Sequence, residues 1–238
     1  MSREFKLNTD PNDNGIDLFK KKSITINPGV TVLVGCNGIG KTTLLKSIKA
    51  RLEKEAIPAA HFNNLLDGGS NARSESAYYG DFEFFALSLQ SSEGENIVLN
   101  LINLSKELGE FIRTGQYNVR KNALADAFKR ANGSESDEST KKISNERWIL
   151  FDAVDSGLSV DNIVDLKEGL FNTILENEKE KEIYIIISAN EYEMANGESC
   201  FDVYHGEYLA FKDYEEYRTF ILNSRKWKEK RDLELNDK

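Results

Sequence analysis

The chain has 238 residues, of which 39% are apolar and 30% charged, and carries a formal net charge of −9 at neutral pH. That length suits one large α/β domain with a substantial core rather than two full domains. The acidic balance argues against a face that coats nucleic acid, because phosphate binding needs clustered Lys and Arg.

The two cysteines, Cys36 and Cys200, lie far apart and give neither a disulfide framework nor metal-ligand spacing. The N-terminus Met1–Asp10 is polar and unlike a signal peptide, and no apolar run approaches the roughly 18 residues of a membrane span. The expectation is a cytoplasmic chain with no direct membrane insertion. A local basic strip for nucleic acid stays open, although the net charge does not indicate one.

In chain order, Ser23–Ile26 and Val30–Val34 read as short strands parted by Asn27, Pro28 and Gly29. Residues Lys41 to about Glu55 read as a helix with Leu44, Leu45, Ile48 and Leu52 on one face, stopped by Pro58. A strand over Ala59–Asn63 leads into a polar loop, Leu66–Ser76. From Glu93 to Ile112, Ile97, Leu101, Leu104, Leu108 and Phe111 recur at helical spacing. Residues 113–146 break the pattern, with a short helix near Asn122–Ala131 and the polar run Gly133–Thr140, and read as an insertion into a single domain over 1–238.

The core resumes with a strand at Trp148–Phe151 and a helix from Val160 to Glu178. Ile183–Ile187, rich in branched residues, predicts a strand buried on both faces and hence a mostly parallel sheet. Phe201–Tyr204 and Tyr208–Phe211 flank His205, Gly206 and Glu207 as a hairpin, and a last helix starts at Asp213. Its stripe Tyr214, Tyr217, Phe220 and Ile221 predicts packing against the core, while Arg225–Arg231 reads as an exposed helix end. Lys20–Lys22 reads as a solvated turn, and His61 and His205, without partners at metal spacing, as structural or surface residues.

The strongest chemical signal is Gly35, Cys36, Asn37, Gly38, Ile39, Gly40, Lys41, Thr42, which matches G-x-x-x-x-G-K-[ST] between the strand and helix that the motif requires. Glycines let the backbone wrap closely around phosphates, and the following helix aims its positive end at them. Lys41 is the expected partner of the β and γ phosphates, and the Thr42 hydroxyl of Mg²⁺.

A phosphate loop alone does not choose among nucleotide-binding families. The order of the remaining segments resembles the ABC-type ATPase domain, nearest its soluble chromosome-maintenance and DNA-repair branch. Val34–Leu45, including Thr43, resembles that family's extended Walker A. Ser91, Ser92, Glu93, Gly94 and Glu95 resemble its signature, which reaches a partner subunit's ATP; Ser92 and Glu95 also read as a capping box, and both readings hold together. Ile149–Asp152 resembles Walker B, although Asp152 also reads as a cap after the strand. Ser156, Gly157 and Leu158 resemble the D-loop, and Ser188–Asn190 stands in the place of the switch segment.

The resemblance implies an ABC-type helical region, an insertion before Walker B, ATP with Mg²⁺ held by Thr42 and Asp152, and an ATP-sandwiched homodimer with Ser92 and Gly94 serving the partner. It also implies a further, unidentified protein partner. The chain departs from the family at the usual catalytic glutamate, here Ala153, and at the usual switch histidine, here Asn190. Ser159 stands where the D-loop often has aspartate. No glutamine marks the glutamine loop; Asn63 or Asn64 either binds a metal-bound water there or shapes the loop.

The expected activity is therefore ATP binding with slow hydrolysis, in which Lys41, Asp152, Asn190 and, after rearrangement, Asp155 are the catalytic candidates. A P-loop kinase with Arg120, Lys121, Lys129 and Arg130 as its lid, an ATPase subunit of a transporter, and a switch in which binding alone assembles a complex are the alternatives.

Overall fold

The computed structural model describes every residue except 1, 8–18, 64–104, 118–143, 157, 178, 237 and 238. The expectations for Asn64, Ser92, Gly94, Gly157, the lid residues and the helix near Asn122 lie outside the described residues.

Six strands form the central sheet: β3 (Gly29–Val34), β4 (Ala59–Asn63), β5 (Glu146–Asp152), β6 (Glu182–Ser188), β7 (Ser199–Asp202) and β8 (Glu207–Leu209). Their spatial order is β4-β5-β6-β3-β7-β8; the first five run parallel and β8 returns antiparallel to β7. The mostly parallel α/β class expected from the sequence is the one observed. A separate antiparallel ribbon pairs β1 (Arg3–Lys6) with β2 (Ser23–Ile26).

The branched runs become strands because both sheet faces are covered, so alternate residues enter different cores. On one face Val32, Val34, Ile149, Phe151, Ile185 and Ile187 pack with Leu108, Phe111, Ile163, Phe171 and Tyr217. On the other, Leu33, Trp148, Leu150, Tyr184 and Ile186 meet Leu44, Leu45, Ile48 and Leu52 of α1 (Lys41–Lys54), with Phe5, Ile24 and Ile26 of the ribbon. Trp148 stacks on Tyr184 at 3.9 Å and takes the edge of Phe5 at 5.1 Å. Each such aromatic pair contributes about 0.5–1.5 kcal/mol beyond area burial.

α1 ends at Lys54, before Pro58, through Ala56 at φ +54°. The helix expected from Val160 takes the form of α2 (Val160–Leu166), a π-helical stretch Lys167–Asn172 and α3 (Thr173–Asn177). Across the wider π turn both Leu170 and Phe171 are buried. Residues 105–114 are helical, burying Leu108 and Phe111 as the spacing predicts and Ile112 besides, while Ile97, Leu101 and Leu104 lie outside the described residues. The short α4 (Tyr192–Ala195) follows β6, and α5 (Tyr214–Asn236) closes the described fold, its Ile221 packed against both cores.

This arrangement places three chain segments at the C-terminal ends of neighbouring parallel strands: the glycine loop after β3, the turn after β5 and the loop after β6. In open α/β sheets this edge is where ligands bind.

Candidate functional site

The loop Gly35–Gly40 joins β3 to α1. Gly35 has φ +142°, and a Cβ there would lie 2.8 Å from Ile39 Cγ2; Gly38 has φ +76°, and a Cβ there would lie 2.8 Å from Lys228 Nζ. Both positions need a positive-φ backbone, and at Gly35 the absence of a side chain also makes room for Ile39, whereas the flexible Lys228 tip beside Gly38 can move aside. Ile39 N–H closes on Cys36 O at 3.2 Å, and Leu44 N–H on Gly40 O at 2.9 Å. The first turn of α1 has no side-chain cap and no acidic residue, so its N–H groups and the positive helix end face the loop. That is a cradle suited to an anion.

Lys41 is buried and donates from Nζ to Gly35 O at 2.6 Å. Burial pushes its ammonium below the usual lysine pKa, an effect opposed by Asp155, Cys36 and Asp152. Thr42 Oγ1 donates to Asp152 Oδ1 at 3.0 Å. Asp152 is 4% exposed at the end of β5, with β6 beside it in register at Ser188. A hydroxyl and a carboxylate make a hard oxygen pair, the donor chemistry that Mg²⁺ takes. The residues present fit that ion.

Beyond Asp152 the chain turns sharply through Ala153 at φ +54°, and Ser156 N–H returns to Ala153 O at 3.1 Å. The turn buries Asp155, which is 1% exposed. Its Oδ2 accepts the N–H groups of Asn190 at 2.6 Å and Glu191 at 2.7 Å. Its Oδ1 is buried and has no hydrogen-bond partner of normal geometry among the described residues. Burial raises the Asp155 pKa above the usual 3.8, against the lowering by the backbone N–H groups of Glu191, Asn190 and Asp155 itself and by Lys41. A buried carboxylate oxygen left unmatched costs about 1–3 kcal/mol.

Gly35 to Thr43, Asp152, Asp155 and Asn190 are thus gathered at one edge of the sheet. Asn190 is linked through its backbone, the N–H to Asp155 and the carbonyl to the Tyr217 hydroxyl at 2.9 Å. Asn63 ends β4 opposite Asp152. Ser92 and Gly94 lie outside the described residues.

One feature of the site differs from the sequence reading. The C-terminal basic run is not simply an exposed helix end: Arg231 is 7% exposed and donates to Ile39 O at 3.1 Å and Gly38 O at 3.4 Å. Ser224, at 0% exposure, accepts the Cys36 N–H at 2.8 Å. Ser224, Lys228 and Arg231 follow one another at spacings of four and three, which puts them on one helix face; that spacing was the available signal. His205 pairs with Asp202, whose Oδ2 lies 2.6 Å from Nδ1, and its ring packs edge-to-face with Trp227.

Among the described residues there is no cluster of three or more His, Cys, Asp or Glu able to hold a metal, and no helix long and apolar enough to cross a membrane. No protein-family model matches the chain, and no curated protein matches it. The chain is similar to a nucleotide-free ATP-binding cassette from an ABC transporter, with 17% identity over 87% of this chain and 89% of that one, at a TM-score of 0.39. It is also similar to the ADP conformation of another ABC transporter's ATP-binding cassette, with 16% identity over 94% of this chain and 97% of that one, at a TM-score of 0.42. Values this low leave the reading of the site to its own residues.

Proposed function

We propose that the chain is an ABC-type ATPase that binds Mg-ATP at Gly35–Thr43 and hydrolyses it slowly, acting as a nucleotide-dependent switch or motor domain. The observation that carries this reading is the meeting of Thr42 and Asp152 at 3.0 Å beside an uncapped, glycine-built helix entrance. Backbone N–H groups of the loop and of α1 take the phosphate oxygens, and Lys41, released from Gly35 O, takes the charge of the outer phosphates. Thr42 and Asp152 would hold Mg²⁺, which would supply neutralisation of the phosphate charge.

Slow turnover follows from the residues beside the phosphates. Ala153 offers no acceptor for the proton of an attacking water, and Asn190 has no charge to lend. Asp155 is the remaining carboxylate, its Oδ1 without a partner among the described residues, but its Oδ2 is engaged by two N–H groups. The same reading includes an ATP-sandwiched homodimer in which Ser92 and Gly94 serve the partner's nucleotide, and a cytoplasmic setting with a further protein partner.

Calorimetry with Mg-ATP tests the assignment. Lys41→Ala removes the main side-chain charge opposing the phosphates and is expected to weaken binding at least about 100-fold, in line with the loss of a desolvated charge pair. Parent-like affinity in Lys41→Ala overturns it.

A further inference from the structure

The phosphate loop and the Asn190 loop touch the same element. Tyr217, Ser224 and Arg231 are each seven residues apart on α5, so two helical turns separate each from the next and all three share a face. Tyr217 donates to Asn190 O at 2.9 Å. Ser224 accepts the Cys36 N–H at 2.8 Å, while its own hydroxyl proton goes to Ile221 O at 2.8 Å, which turns a lone pair towards Cys36. Arg231 donates to the carbonyls of Ile39 and Gly38 and is itself held by Asp232. From Tyr217 to Arg231 the helix spans about 21 Å.

We infer that α5 is a strut that holds the phosphate loop and the Asn190 loop at a fixed spacing, with Ser224 and Arg231 as positioning residues for the phosphate-binding N–H groups. The inference rests on the nucleotide-site reading above. A trans peptide unit points its N–H opposite its carbonyl. With Ile39 O held by Arg231, the Gly40 N–H of the same unit is aimed away from α5, into the loop. With Gly38 O held likewise, the Ile39 N–H is directed to Cys36 O, closing the loop's inner turn at 3.2 Å. Ser224 anchors the opposite limb of the loop at Cys36. Lys228 fills the space beside Gly38, so α5 supports the loop along its outer side. At its other end, Tyr217 and Asp155 fix both polar groups of the Asn190 backbone, so one rigid helix sets both loops.

Amide hydrogen exchange on the nucleotide-free full chain, read beside ATP affinity, tests this. In Arg231→Met and Ser224→Ala, exchange across 36–41 is expected to quicken about tenfold while the β6 amides 183–187 keep the parent rate. Mg-ATP affinity is expected to fall about tenfold in Arg231→Met, and to stay within about threefold of the parent in Arg231→Lys, which retains a donor for one carbonyl. Arg225→Ala, at an exposed position paired with Glu229 on α5, is the control and is expected to match the parent.

Unchanged exchange at 36–41 in both variants overturns the strut, as does equal acceleration in β6, which marks general destabilisation. Should Arg231→Met fail to fold, Ser224→Ala decides alone. A parent that does not bind Mg-ATP overturns the nucleotide reading, whereas the exchange result judges the strut without nucleotide.

Discussion

Thr42 and Asp152, 110 positions apart in the chain, meet through a 3.0 Å hydrogen bond from the threonine hydroxyl to Oδ1 of the aspartate. One residue opens α1 and the other ends β5, so the bond fixes the glycine loop against the sheet. The proposed function makes the same two oxygens the metal donors.

If that is their role, Mg²⁺ sensitivity reports on them. The parent is expected to bind ATP more tightly with Mg²⁺ than with a chelator, and Thr42→Val and Asp152→Asn to lose at least about tenfold of that difference, the scale on which metal-site partners act. Titrations with and without Mg²⁺ measure it. A full Mg²⁺ effect in both variants removes them from the metal site.

Asp155 sets a pH signature. Its pKa is raised in the fold, chiefly by burial, so between the usual value of 3.8 and the raised one the native state binds more protons than the unfolded state. Stability from this group is therefore fully present below 3.8 and is lost as pH rises through the folded value. Asp155→Asn keeps an acceptor for Asn190 and Glu191 without a titrating charge. Its stability relative to the parent is expected to be higher at neutral pH than below the usual aspartate range, measured by thermal unfolding across that range. A difference that does not change with pH contradicts the assignment.

The glycine loop, the parallel strands and Asp152 were legible because each follows from local composition: Gly at tight turns, branched residues in buried strands, and an acid at a strand end. The links made by Asp155 and α5 were not. Nothing near Asp155 in sequence signals that its carboxylate binds the backbone 35 positions later, and Arg225–Arg231 has the charge of a solvated helix end. Burial of Arg231 depends on the β3–α1 loop offering outward carbonyls, a property of the folded loop. Ala153 gave no hint of φ +54°, since alanine is not a residue that favours that conformation.

Nucleotide-driven assembly is the prediction that reaches beyond the described residues. A sandwich that gains its energy from ATP bridging two copies leaves the monomer dominant without nucleotide. Light scattering with Mg-ATP is expected to show a dimer for the parent and a monomer for Ser92→Arg, in which ATP binding itself persists. A nucleotide-dependent dimer of Ser92→Arg would falsify the assignment of Ser92 to the partner's site.

Turnover depends on what occupies position 153. Ala153 lies next to Asp152 in a left-handed conformation, which costs a residue with a Cβ about 1–2 kcal/mol relative to its preferred one, while glycine pays about 0.5–1 kcal/mol in chain entropy. Ala153→Gly is therefore expected to raise thermal stability by about 0.5 kcal/mol without changing turnover. Ala153→Glu keeps the Cβ and the same backbone cost but adds a carboxylate next to Asp152. A positioned base of that kind contributes about 10²–10⁴ in rate, so Ala153→Glu is expected to hydrolyse ATP faster than both the parent and Ala153→Gly by at least the lower figure. The glycine variant separates relief of backbone strain from the chemistry of the added acid. Asp155→Ala is expected to leave the parent's residual rate in place, because Oδ2 is committed to the Asn190 and Glu191 N–H groups. Steady-state phosphate release from the four proteins decides among these outcomes: rapid hydrolysis by the parent sinks the slow-switch reading, and loss of its rate in Asp155→Ala transfers the catalytic role to the orphaned oxygen of Asp155.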